Sequence, residues 1–544
     1  MTDTIVLPGA GAVTPGALDP LTEIVIEVNG ERVASGESST ALPLALGETS
    51  FSVLVTAETG VSRSYGVRVV RDVDPSVYLK ASNTEAGDWF GAAIALSGDT
   101  LAIGAYQEDS AATGAGGDST DNSISASGAV YVFVRDAAGV WAQQAYLKAS
   151  NPGSGDYFGF SLAIDGDTLV VGAYGEDSNA IGIDGDPLDD TAFDAGAAYV
   201  FVRDAAGAWS QQAYLKSSNS EISDSFGWDV DVSGDTLAVS SRFEAGGAPG
   251  VGADQADNTA VAAGAVYIFV RDAAGAWSQQ AYVKASNPSI GDFFGSDLAL
   301  GGDTLVVGAY GEDSAATGVG GDAADDSASG AGAVYVFARD VAGVWSEQAY
   351  IKASNAEAND AFGSAVALSG DTLAVSARFE DSAALGVGGD ESDNSATDSG
   401  AVYVFVRDVA GLWSQQAYVK PLASDISDRF GYRVALSGEL LAVTTYDEDS
   451  GATGVNGNAA DDTAPRSGAG YLFVRGSTDA WSQLLYLKAS NTESNDLFGM
   501  DVALSGDWLC LGAPEEASVA TGIDGDQLDN SAPMAGAAYL FRLQ

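Results

Sequence analysis

The chain has 544 residues, 46% of them hydrophobic and only 13 of them proline, so it can bury a sizeable core and is not of disordered composition. Its 76 Asp and Glu against 23 Lys and Arg give a net charge of -53, which repels a phosphate backbone or an anionic bilayer and argues against nucleic-acid binding. With no histidine and a single cysteine, Cys510, the sequence excludes Ser-His-Asp chemistry, histidine-ligated zinc and an internal disulfide.

In chain order, residues 1–73 come first. "EIVIEVNGERV", "TSFSVLVTAETG" and "RSYGVRVVRD" alternate apolar and polar residues, which predicts strands of a small β-sandwich joined to the rest through Asp72 to Pro75. The opening "MTDTIVLPGAGAVTPG" has no basic region followed by an apolar one, and no apolar run reaches the ~18 residues of a membrane span. We expect no membrane insertion, and export through a signal outside this chain or by another route.

From residue 74 to 544 one unit repeats. Phe-Gly recurs at Phe90, Phe158, Phe226, Phe294, Phe362, Phe430 and Phe498, always 68 residues apart. Each unit predicts four short strands: in the fourth, "FGSDLAL" turns through "GGD" into "TLVVGAY", a long acidic loop follows, then "GAVYVFARD", a second turn and "VWSEQAYIKAS". The last unit stops at "GAAYLFRLQ" without its fourth strand, while a strand of that type, "SVYLKAS", stands before the first Phe-Gly. Pairing the two closes a ring without exposed edges, an all-β, seven-bladed β-propeller of four-stranded antiparallel blades.

These residues resemble the FG-GAP repeat family, bacterial relatives of the integrin alpha-chain propeller. Phe-Gly opens each unit, and "LGAP" at Leu511 to Pro514 supplies the other half, with "VGAY", "IGAY" or "VSAR" elsewhere. The resemblance implies a seven-bladed propeller, calcium in several blades and extracellular adhesion. The compact D-x-D-x-D-G cation hairpin of the integrins is absent from every blade. The first 73 residues resemble the later part of a cadherin-like β-sandwich module through "VNG" and "SYGVRVVR", which suggests a piece of a larger surface protein.

The acidic loop offers Glu108, Asp109, Asp118 and Asp121 in the first blade and Glu176, Asp177, Asp184, Asp186, Asp189 and Asp190 in the second. The fourth and fifth carry Glu312, Asp313, Asp322, Asp325, Asp326, and Glu380, Asp381, Asp390, Asp393; the sixth and seventh carry Glu448, Asp449, Asp461, Asp462, and Asp524, Asp526, Asp529. Calcium takes six to eight oxygens in irregular geometry, and unshielded carboxylates a few ångströms apart repel, so one Ca2+ per blade is the functional expectation. The competing expectation is that Asp, Asn, Ser and Gly here make Asx turns to their own backbone.

All seven lysines occupy the Tyr-x-Lys of their units, Lys80 to Lys488, and the Asp two residues before each Phe, Asp88 to Asp496, is the expected partner. The tryptophans of "W-S/A-Q/E-Q" are expected to pack between blades. Positions beside Phe-Gly vary instead of repeating, and Trp89, Tyr157, Phe160, Trp228, Phe293 and Tyr432 are expected to face a rim or the central channel as a ligand-binding surface. The functional expectation is an extracellular, non-catalytic binding or adhesion module for a protein or glycan. The alternatives are a structural spacer whose acid serves solubility and, more distantly, a carbohydrate-active enzyme, which would need a blade-unique pair of acids.

Overall fold

The computed structural model describes residues 73–543 and, before them, the strands Val25–Val28, Glu31–Val33, Gly47–Thr56 and Ser62–Arg71. The chain divides into two compact units, Met1–Asp74 with Arg542–Gln544, and Pro75–Phe541. In the first, the four strands form one antiparallel sheet in the order Glu31–Val33, Val25–Val28, Gly47–Thr56, Ser62–Arg71. The second layer of the expected sandwich, and with it the cadherin-like assignment, lies outside the described residues.

The second unit is built from seven four-stranded antiparallel sheets. The second blade serves as the pattern, with strands Ser161–Asp165, Thr168–Ala173, Ala197–Arg203 and Trp209–Leu215. Asp165 pairs with Thr168, leaving a two-residue Gly-Asp turn in which Gly166 has φ 57°, as primed hairpin turns require. Every residue of Thr168–Ala173 is buried, because the blade packs on both faces. That explains a continuous apolar run where a one-sided sheet would alternate. Val130, Val132 and Leu147 of the first blade pack with Leu169, Val171, Phe201 and Trp209 of the second, so the core lies between adjacent sheets.

The ring closes as expected. The seventh sheet runs Val502–Ser505, Trp508–Ala513, Ala537–Leu543 and then Val73–Leu79. Across this seam Lys80 N donates to Gly522 O at 2.8 Å and Tyr78 Oη to Glu516 at 2.9 Å.

Three devices join adjacent blades, the third of them at five seams. The Phe of Phe-Gly is fully buried, edge-on to a tyrosine of its third strand, as in Phe158 and Tyr199 at 5.3 Å. The glycine beside it passes under the previous blade: Gly227 has φ 84°, and a Cβ there would sit 2.1 Å from Ala197 O, so no larger residue fits. Finally, the register of the outer strand pair shifts between Val200 and Phe201. This bulge leaves Gln212 unpaired and re-aims its side chain outward, where Oε1 accepts from Trp277 Nε1 of the next blade at 2.9 Å.

Candidate functional site

The acidic loop joins second and third strands and crosses the outer edge of its blade. In the second blade Asp184 N donates to Tyr214 O at 2.8 Å and Lys216 N to Gly182 O at 2.7 Å, so the loop covers the edge strand that would otherwise be open to pairing. Glu176 is buried there and accepts from Lys216 Nζ at 2.8 Å, Tyr214 Oη at 2.7 Å and Ser178 N at 3.1 Å. Glu108, Glu312, Glu380 and Glu448 likewise face Lys148, Lys352, Lys420 and Lys488. Glu244 and Glu516, outside the predicted set, face Lys284 and Lys80.

This corrects the expected lysine partner, which is the loop glutamate and not the Asp before Phe. The lysine leaves the end of the outermost strand just where the loop crosses it. The aspartate instead accepts a local amide, as in Gly153 N to Asp156 Oδ2 at 2.7 Å, and burial pushes its pKa up to about 7.

The remaining loop acids hold backbone. Asp109, Asp177, Asp313, Asp381 and Asp449 accept the amides of Ala126, Asp194, Gly330, Asp398 and Arg466 across the loop. Asp118, Asp186, Asp322, Asp390 and Asp526 accept the amide two residues on, as do Asp121, Asp325, Asp393 and Asp529. Asp189 accepts from the Thr191 hydroxyl. Asp184 and Asp524, both with positive φ, accept the amides of Tyr214 and Tyr78. Asp190, Asp326 and Asp462 are exposed and Asp461 half-buried. Among the described residues no three carboxylates converge on one point. The loops as folded carry Asx turns and buried ion pairs, and that donor arrangement does not fit a calcium cage.

The variable positions gather elsewhere. The residue before each Phe adopts left-handed backbone, from φ 56° at Phe293 to 61° at Trp89, uncommon for bulky residues. Trp89 meets Tyr106 at 5.6 Å, Tyr106 meets Tyr157 at 5.8 Å and Phe160 at 5.4 Å, and Phe160 meets Trp228 at 4.9 Å. The arc continues through Phe243 to Phe293, which stacks on Tyr310 at 5.1 Å. Phe160, Trp228, Tyr310 and Tyr432, with Ser296, Ser364, Arg242 and Arg378, line a cavity of about 230 Å³. This is the mouth of the axial channel, and the structure brings all six predicted aromatic residues to it or to its rim.

Sequence reasoning missed the cations there. Arg242 lies 4.0 Å from the Trp228 ring, 4.7 Å from Phe243 and 5.7 Å from Tyr310; Arg378 lies 4.9 Å from Phe379, 5.6 Å from Tyr310 and 5.9 Å from Tyr432. The Nε of each is buried without a hydrogen-bond partner, and neither forms an ion pair among the described residues. Burial lowers the Arg242 pKa from its usual value. The available signal was "VSSR" and "VSAR", where five blades end the second strand in Tyr or Pro.

Below the mouth, the seven innermost strands line a channel cavity of about 290 Å³ containing Asp229, Asp231, Asp297, Asp501 and Arg433. Asp231 is unique to its blade, whereas Asp229, Asp297 and Asp501 stand at the same position, three residues after Phe, in three blades; the mark of an enzyme set above was a blade-unique pair. The oxygens of these acids bridge blades. Asp229 accepts the amides of Val230 and Leu298, and Asp231 those of Val232 and Leu300. Asp297 and Asp501 accept the amides of Val366 and Ile94 and lie 3.5 and 3.6 Å from Arg433. Burial raises all four, Asp297 and Asp501 to about 6.

Among curated proteins none matches this chain. The family model for the FG-GAP repeat matches residues 76–133, 141–201, 209–269, 277–337, 345–405 and 481–541, well over half of the sequence. The match omits residues 413–473, the repeat that carries Arg429, Tyr432 and Arg433 to the mouth. The chain belongs to the FG-GAP repeat family.

Proposed function

We propose that this propeller is a non-catalytic extracellular binding module, carried on a larger surface protein, that takes a protein or glycan ligand at the axial mouth. One observation carries the reading. The sevenfold repetition seen at the outer edge breaks at the mouth, where aromatic and cationic side chains that differ from blade to blade surround a cavity. Concave sites with aromatic walls and a few convergent polar groups are where ligands bind. The channel acids do not favour catalysis, because each holds the amide of the adjoining blade.

An array of glycans and matrix proteins tests the reading. A Phe160→Ser, Trp228→Ser, Tyr432→Ser variant is expected to lose capture, and an Asp186→Ser, Asp390→Ser loop variant to keep it. Capture retained by the mouth variant, or lost by the loop variant alone, overturns the assignment and leaves the spacer or a loop-borne site in its place.

A further inference from the structure

Most cations among the described residues are matched by an acid. Each lysine has its glutamate, and Arg135, Arg203, Arg271, Arg339, Arg407 and Arg475 each pair with an acid at the hairpin turn. In the sixth blade Arg429 and Arg466 share Asp447, and Arg433 lies between Asp297 and Asp501. Arg242 and Arg378 break this rule in a protein with a net charge of -53. Both are half-buried and both reach the ring of Tyr310; Arg135 and Arg429 also keep a buried Nε–H without an acceptor, but they pair through another nitrogen, whereas Arg242 and Arg378 have neither that bond nor an ion pair among the described residues. A buried donor left without an acceptor is unfavourable, more so when the group is charged. Two such donors beside one cavity therefore point to an acceptor brought by a ligand.

We infer that the mouth binds one carboxylate-bearing sugar residue, a uronate, with its carboxylate on Arg242 and Arg378 and its ring against Trp228 and Tyr432. The inference rests on reading the mouth as the ligand site. A guanidinium presents a planar donor fork that matches a carboxylate. The walls combine flat aromatic faces with the hydroxyl of Tyr310 and the two guanidinium groups, suited to a ring with apolar faces and polar edges. The cavity of about 230 Å³ lies below the usual drug-sized range of about 300–1,000 Å³, which limits the buried part to one residue. A peptide carboxyl terminus is typically held in a nest of backbone amides, and this cavity offers side chains. The protein's own field repels each additional negative charge, which favours a single acidic residue on an otherwise neutral glycan.

Calorimetry on the full chain at about 0.15 M salt decides the matter, with a galacturonate-terminated neutral oligosaccharide, its methyl ester, the galactose-terminated counterpart and a peptide with a free carboxyl terminus as probes. We expect the uronate to bind, the ester and the galactose form to bind at least about tenfold more weakly, and Arg242→Gln with Arg378→Gln to lose uronate binding at an unchanged melting temperature. The uronate assignment is overturned if the uronate fails to bind, if the ester or the peptide binds as well, or if the double variant binds like the parent. On the array, mouth-aromatic variants that lose capture while the arginine variant keeps it would remove the uronate and leave the mouth as the site. Capture unaffected by either set would remove both.

Discussion

At the outer edge of every blade a lysine meets a glutamate, whereas at the mouth no two blades present the same pair of residues. There the pairs run Ala92 and Tyr106, Phe160 and Tyr174, Trp228 and Arg242, Ser296 and Tyr310, Ser364 and Arg378, Tyr432 and Tyr446, Met500 and Pro514. The two regions stand on the same strands. The outer edge must fit an equivalent neighbour seven times over, so one solution is repeated; the mouth opens on a cavity, where the neighbouring side chains differ from blade to blade. Repetition therefore marks structure in this protein, and its failure marks the place where we propose that a ligand binds.

The largest test of that contrast is at the edge. Glu176→Gln leaves Lys216 buried without its carboxylate and should cost about 3–5 kcal/mol in urea denaturation while leaving ligand affinity intact; a cost under about 1 kcal/mol would remove the pair's structural role. The aspartates before Phe come next. Burial raises Asp88, Asp156, Asp224, Asp292, Asp428 and Asp496 to about 7 and Asp360 to about 8, from about 4 when unfolded. Between those values the folded state holds more protons, so their contribution is fully present below pH about 4 and is lost as pH rises through about 7. The melting temperature should fall across that window, and Asp156→Asn should reduce the slope; a rise would contradict the assignment.

A smaller effect separates two seams. Trp209 Nε1 donates to Gln144 at 2.8 Å, whereas Trp141 Nε1, at the closing seam, has no partner among the described residues. Trp209→Phe should cost about 1 kcal/mol more than Trp141→Phe, and equal costs would show that the bond adds nothing. At the mouth, Trp228→Ser should change stability by no more than about 1 kcal/mol yet weaken ligand binding by about tenfold or more. The smallest expected effect is that of EGTA, which should leave the melting temperature unchanged; a fall of several degrees would reinstate calcium in the loops.

The seven units could be read from Phe-Gly spacing, because a fixed period records a fixed neighbour relation, and the closing strand from "SVYLKAS" standing before the first Phe-Gly while the last unit lacks its fourth strand. The loops were harder. Glu176 and Asp186 look alike in sequence, but one faces Lys216 inside the seam and the other holds the Leu188 amide at the surface. Which of them meets the lysine depends on where the loop crosses the outermost strand. The aromatic residues of the mouth showed themselves through variation, while Arg242 and Arg378 stayed hidden at a position otherwise filled by Tyr or Pro. Their significance lies in the lack of an ion pair to either among the described residues, a property of the assembled ring.

The closing strand Val73–Leu79 is separated from its partner Ala537–Leu543 by nearly the whole propeller. On a ribosome adding about 5–20 residues each second, that strand emerges first and waits roughly half a minute or more for its mate, its unpaired edge exposed to other nascent chains. Biogenesis of this protein thus calls for a holding factor or a slow late step, and clipping the last few residues would leave an open, protease-sensitive arc even though six blades were already complete.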